Sequence, residues 1–239
     1  MTYWIGRIEP SMWFEGAWWQ EILPADVRLA VLSLGVQRLV DEDLERAHAA
    51  ILEKVEMLDI EGVDVINVGG SPVVSVHGRA GHERLLSDIA AITNRPFVTS
   101  LQAEVEGLRD AGAGRVAIAS PYPVRQTEKR VTVLTEEGFE VVGHESLDIE
   151  RTRDIAQLEP ATVLELAVRV AESCPTAEVI YLPCGSLPVT SVIDDIEGRT
   201  GKHVVTNVQA QIAANLRRLQ YPEPVLGYGH LLERIAAAA

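Results

Sequence analysis

The sequence predicts an α/β protein of two pseudo-symmetric lobes, each a short, mostly parallel sheet flanked by helices, with the functional cleft between them. Three observations lead there. Short β-branched runs alternate with longer amphipathic segments, the pattern of layered α/β proteins. The runs are almost continuously apolar, as parallel strands become when helices cover both faces of the sheet. One passage of strand, small-residue turn, strand and helix occurs twice, in the same order.

The strand-like runs are residues 3–8, 63–68, 96–99, 115–119, 140–144, 178–182 and 203–206. Between them, apolar residues recur at helical spacing over 41–58, 83–92, 103–111, 126–137, 160–172, 192–197 and 209–219. The repeat sets Val65-Ile66-Asn67-Val68-Gly69-Gly70-Ser71-Pro72 against Val179-Ile180-Tyr181-Leu182-Pro183-Cys184-Gly185-Ser186-Leu187-Pro188. Further on, Val98-Thr99-Ser100-Leu101-Gln102-Ala103-Glu104 is answered by Val205-Thr206-Asn207-Val208-Gln209-Ala210-Gln211. Each of these is a strand end entering a helix, with the threonine or a neighbouring residue placed to cap it. Lobe 1 is therefore expected to span 1–100 and to be joined by 207–239, leaving 101–206 to lobe 2.

The chain has 239 residues, a length suited to two small lobes that share an interface. Nearly half of them are hydrophobic, and Gly and Pro are scattered, so a packed core is expected rather than disorder. The net charge of -14, with no compensating basic block, disfavours nucleic acid or an anionic membrane as partner. No apolar run reaches the roughly 18 residues that span a bilayer, and the first residues do not read as a secretion signal. Two cysteines, Cys174 and Cys184, are too few for a disulfide framework, which suggests a reducing, cytoplasmic location.

Neither a metal nor an organic cofactor is expected. His77 and His82 match no usual zinc spacing. Gly69-Gly70 lacks the third glycine of a dinucleotide-binding turn, and neither a Walker turn nor Gly-x-Ser-x-Gly occurs. Ligands of open α/β sheets collect at the carboxyl ends of the strands, where turns and helix starts present unpaired N–H groups. Both repeated turns lie at such ends, so Gly69-Gly70-Ser71 and Cys184-Gly185-Ser186 are expected to converge on one cleft, the first with backbone donors and the second with a thiol.

A strand and turn carrying Cys, Gly and a small or hydroxyl residue, set within duplicated halves, resembles the aspartate/glutamate racemase superfamily. The likeness extends to Pro10-Ser11, Gly78, Ala119-Ser120-Pro121-Tyr122, residues 204–211 and Gly227-Tyr228-Gly229. The racemases use one thiol from each half. Here Gly69 is read as the position of the first thiol and only Cys184 is kept, the pattern of the arylmalonate decarboxylases, so the chain resembles the arylmalonate decarboxylase and maleate isomerase branch and within it the decarboxylases.

The resemblance implies a cofactor-independent decarboxylase of a substituted malonate or similar small carboxylic acid. Cys184 would protonate an enediolate, with Tyr122 and Ser71 as further catalytic groups. Pro10, Gly69, Gly70, Ser120, Gly185 and Ser186 would bind substrate. A free thiol, with an ordinary pKa of about 8.5, is mostly protonated at neutral pH and can act as the acid. Two departures stand out: the decarboxylases carry Thr where Gly70 is read, and the maleate isomerases carry Asn where Trp13 stands. The alternatives are an isomerase or racemase of the same superfamily, or a carboxylate-binding protein that has lost turnover.

The apolar pocket for the leaving carboxylate is expected around 34–40 and 155–158, a region that includes Gln37, Arg38 and Gln157. Trp13 belongs to a local group with Met12, Phe14, Trp18 and Trp19, read either as a lid or subunit interface or as a wall for an aryl substrate. These aromatics are compatible with a homo-oligomer. Cys174, at the end of an apolar helix, is expected to be a packed small hydrophobe.

Overall fold

The computed structural model describes residues 2–13 and 15–234. Its first half holds β1 (Tyr3–Glu9), α1 (Glu15–Ile22), β2 (Val27–Ser33), α2 (Asp41–Ala49), α3 (Ile51–Glu61), β3 (Val65–Val68), α4 (Ser71–Val74), α5 (Gly78–Ile92), β4 (Phe97–Thr99) and α6 (Ser100–Asp110). The second holds β5 (Arg115–Ser120), α7 (Val124–Glu136), β6 (Glu140–Ser146), α8 (Thr152–Ala156), α9 (Pro160–Ser173), β7 (Val179–Leu182), α10 (Ile193–Thr200), β8 (His203–Thr206), α11 (Asn207–Arg218) and α12 (His230–Glu233).

Two four-stranded sheets result, ordered β2-β1-β3-β4 and β6-β5-β7-β8, and every strand pair within them is parallel. The two orders are the same once each half is counted from its own first strand, so the repeat read in the sequence is a repeat of topology. The central strands β3 and β7 are wholly buried, as their unbroken apolar sequence requires. One hydrophobic core runs through both sheets, from Ile8 and Val68 to Val179 and Leu182.

The repeated Thr-x-x-Gln motifs form full capping boxes. Thr99 accepts from the Gln102 backbone N–H at 3.2 Å and Thr206 from that of Gln209 at 3.1 Å, while each glutamine side chain accepts from its threonine's backbone N–H. The helices so started, α6 and α11, pack against each other across the lobes. Residues 207 to 216 of α11 are all buried, and Val208, Ile212 and Leu216 each contribute roughly 1.5–3 kcal/mol by leaving water. Its buried amides are paired: Gln209 donates to Tyr228 O at 2.6 Å and Gln211 to Asn207 Oδ1 at 2.6 Å.

Several elements depart from the sequence expectation. The single helix expected over 41–58 is broken at Ala50, whose N–H tightens to Ala47 O at 3.1 Å. The strand β2 was not anticipated. It is an edge strand paired only with β1, and its Leu-Ala-Val-Leu sequence is half exposed rather than cleanly alternating. The aromatic group near the N-terminus divides: Trp19 is fully buried with Arg7 stacked 4.0 Å above its ring, Trp13 is half-buried, Met12 is exposed, and Phe14 lies outside the described residues. Among the described residues, no helix is long and apolar enough to cross a membrane.

His82, on α5, is buried with Nε2 2.9 Å from Thr99 Oγ1, behind the cap of α6. Burial, with Arg130 adding to it, lowers its pKa from 6.5 to about 4. The folded state therefore binds fewer protons than the unfolded chain between these values, so this contribution is complete above pH 6.5 and lost as pH falls toward 4. Its size is about 3 kcal/mol by linkage. Denaturant unfolding across that range is expected to give a flatter pH dependence for His82→Gln than for the wild type, and equal slopes would refute the assignment.

Candidate active site

The strands deliver their carboxyl ends to one place. Pro10 and Ser11 follow β1, Gly70 and Ser71 follow β3, Tyr122 follows β5, and Cys184, Gly185 and Ser186 follow β7. With Val36, Leu39, Leu44, Pro72, Val73, Thr152 and Asn207, they line a cavity between the lobes. Ser11 Oγ and Ser186 Oγ stand 3.5 Å apart across the cleft, one from each lobe. The strand register makes the loops equivalent in pairs: Ile5 pairs with Val65 as Val116 pairs with Val179, so Pro10 corresponds to Pro121 and Ser11 to Tyr122.

The same register corrects the sequence alignment of the two turns. Counting from Val65 and Val179 brings Gly70, not Gly69, to the place of Cys184. Backbone conformation agrees, since Gly70 has φ +87° and Cys184 +90°. Gly69 is not among the lining residues. It sits under the strand end, where an added Cβ would meet Ile8 O at 2.8 Å. A non-glycine residue in this conformation costs on the order of 1–2 kcal/mol, and Cys184 carries that strain at the cavity wall.

The lining is chemically mixed. Val36, Leu39, Leu44 and Val73 contribute apolar side chains, whereas Ser11, Tyr122, Ser186 and Asn207 give polar groups. In the segment 36–39, Val36 and Leu39 are buried and line the cavity, while Gln37 and Arg38 are exposed and do not. Ile155 and Gln157 do not reach the cavity. Thr152 does, held by Val36 O and Gln37 O at 3.3 Å each.

Burial pushes the Tyr122 hydroxyl well above its usual pKa, with the neighbouring Cys184 adding to the shift, so it remains a proton donor. Ser71 differs from expectation. Its hydroxyl donates to Glu104 Oε1 at 2.6 Å, which commits its one proton away from the cavity. No backbone acceptor pairs with the N–H groups of Gly70, Ser71 or Gly185 among the described residues, leaving these as the donors of the two turns. Ser120 is also displaced from a binding role. It is buried outside the lining, where its Oγ accepts from Thr127 at 2.8 Å and from the Tyr122 N–H at 3.2 Å, which positions the Tyr122 loop.

Beneath the cavity lies a buried polar layer that sequence reasoning missed. Glu104 Oε1 also accepts from Asn207 Nδ2 at 2.5 Å, and Glu104 Oε2 pairs with Arg130 at 3.6 Å. From Asn207 the chain of bonds continues through Gln211 to Arg7, whose Nη1 also reaches Asn67 at 2.7 Å and whose Nε reaches Glu9 at 3.1 Å. The available signal was one charge on each of two buried helix faces, Glu104 between Leu101 and Leu108 and Arg130 between Thr127 and Leu134. Burial is the largest influence on the Arg130 charge and works against it, but Glu104, Tyr181 and Tyr122 together outweigh it and raise the pKa.

Duplicated parallel lobes that enclose a cavity with one buried thiol on its wall define a two-lobed α/β protein with a candidate site in the shared cleft. The chain belongs to the arylmalonate decarboxylase family, whose model matches residues 19–232. It is 28% identical over 185 residues to the arylmalonate decarboxylase of Bordetella bronchiseptica, covering 77% of each chain. It is 33% identical over 138 residues to a maleate isomerase of Pseudomonas putida, covering 57% of this chain and 54% of that protein. A liganded double mutant of arylmalonate decarboxylase superposes with a TM-score of 0.91 at 26% identity, over 98% of this chain and all of the other. These relatives are enzymes, decarboxylase or isomerase.

Proposed function

We propose that the protein is a cofactor-independent decarboxylase of a substituted malonate or a similar small carboxylic acid. The observation that carries this reading is the mixed lining of the cavity: the apolar side chains of Val36, Leu39, Leu44 and Val73 together with backbone donors and a thiol. A carboxylate pressed against the apolar side chains loses hydration that neutral carbon dioxide does not need, which favours its departure. The C–C bond breaks, its electron pair passes into the retained carboxylate, and an enediolate forms.

The Tyr122 hydroxyl and the N–H groups of Gly70, Ser71 and Gly185 hold the growing negative charge. The Cys184 thiol gives its proton to the α-carbon, and the thiolate recovers a proton from solvent. Gly70 opposite Cys184 favours this over an isomerase or racemase, because two-face proton exchange needs an acid or base on both walls. The free thiols of Cys174 and Cys184 suit a reducing, cytoplasmic setting.

Incubation with aryl- and alkylmalonates, with carbon dioxide release followed, tests the reading. Release without added cofactor is expected. Conversion of maleate to fumarate with no release from any malonate would establish the isomerase instead, and binding without either reaction would leave a carboxylate-binding protein. Tyr122→Phe is expected to lose about 2–4 kcal/mol of transition-state stabilisation, read as a fall in kcat with little change in unfolding midpoint. A kcat equal to the wild type would remove Tyr122 from the reaction.

A further inference from the structure

We propose that Trp13, Arg38, Arg151 and Arg153 form an outer anion-binding vestibule that captures dianionic carboxylic acids before they pass into the cavity. The inference rests on the reading that the cavity takes such acids. It concerns how they arrive rather than what becomes of them.

The segment after β2 and the segment before α8 meet above the cavity. Leu39 N donates to Glu150 O at 2.9 Å and Thr152 N to Gln37 O at 3.1 Å, closing a short antiparallel bridge in which Arg38 and Arg151 are direct partners. Like charges directly opposite one another across a strand pair are destabilising, and a fold without use for them would place a neutral or opposite charge there. Glu150 offsets Arg38 in part, at 3.5 Å, with both side chains about half exposed.

Among the described residues, Arg151 and Arg153 have no carboxylate partner. Arg153 lies 5.5 Å from the Trp13 ring, which leaves its N–H edges free for an acceptor. Around these groups is a depression lined by Met12, Trp13, Gly35, Val36, Gln37 and the three arginines, with no Asp or Glu among the described lining residues.

Two facts tie the depression to the cavity. Val36 lines both, and Thr152, between Arg151 and Arg153, lines the cavity itself. The chain as a whole carries a charge of -14, so a substrate dianion is repelled by most of its surface. A local cluster of three guanidiniums at the mouth reverses that field over a Debye length of about 8–10 Å. Paired N–H edges match a carboxylate better than a point charge would, and the Trp13 face gives an apolar substituent somewhere to rest. The vestibule would therefore prefer dicarboxylates over monoacids, and substituents with a flat apolar face over small ones.

The test uses the intact protein, with phenylmalonate and its monoethyl ester as probes. Calorimetric Kd values are measured at low and at physiological salt for the wild type, R151Q/R153Q and R151K/R153K. We expect phenylmalonate to bind about tenfold more weakly to the glutamine variant at low salt, with a flattened salt dependence. The monoester should be affected far less, and the lysine variant should recover most of the loss. Where turnover is seen, the loss should fall on KM rather than on kcat.

An unchanged Kd and salt slope in the glutamine variant, or no saturable binding of phenylmalonate to the wild type, overturns the vestibule. If the shifts in Kd are found but no acid is turned over, the decarboxylase reading fails and the vestibule stands. Unfolding midpoints of the variants equal to the wild type would show that the fold is intact, as expected for exposed side chains.

Discussion

Replacing Cys184 by alanine is expected to lower turnover about 10²–10⁴-fold, the range for loss of a positioned acid, while carboxylate affinity stays close to the wild type. The cavity keeps its donors in this variant, because Tyr122 and the turn N–H groups do not depend on the sulfur. Stability offers a second reading. Alanine at φ +90° bears the same backbone strain as cysteine, whereas glycine does not. The Cys184→Gly variant should therefore be more stable than Cys184→Ala by about 1 kcal/mol, with turnover lowered in both. Steady-state assays with unfolding curves decide the matter, and near-normal rates in the alanine variant would sink the thiol assignment.

Loss of Glu104 is expected to do most harm to the fold. Its carboxylate is fully buried, accepts from Ser71 and Asn207 and faces Arg130, itself buried. Glu104→Ala would leave an uncompensated guanidinium in the interior and orphan two donors at once, for a loss of about 3–5 kcal/mol. Glu104→Gln keeps the volume and one acceptor oxygen, so it should be milder. Urea unfolding of the two variants checks the order, and a loss in the alanine variant no larger than in the glutamine variant would show that the charge on Glu104 is not what holds this layer together.

The parallel sheets were legible in the sequence because runs such as Val65–Val68 and Val179–Leu182 are apolar throughout and end in small-residue turns. The caps of α6 and α11 were legible because Thr-x-x-Gln has a local meaning. By contrast, β2 escaped because an edge strand with one neighbour keeps a mixed pattern, and α4, α8 and α12 are too short to show a period.

Within the site, the Cys184 turn was visible, but its counterpart was misplaced by one residue. Two adjacent glycines give no side chain to align, and strand register together with the sign of φ is what separates Gly70 from Gly69. The role of Ser71 was misjudged for a related reason. A hydroxyl's direction depends on what lies behind it, and Glu104 enters from a helix 33 positions further along the chain.

The pairing of Gly70 with Cys184 gives the cleft a sidedness that its duplicated scaffold lacks. A planar prochiral carbon held between them would see sulfur on one face and bare backbone on the other. Hydrogen would be added from one direction only, and the product would leave with a single handedness, set by which of two matching kinks kept its side chain.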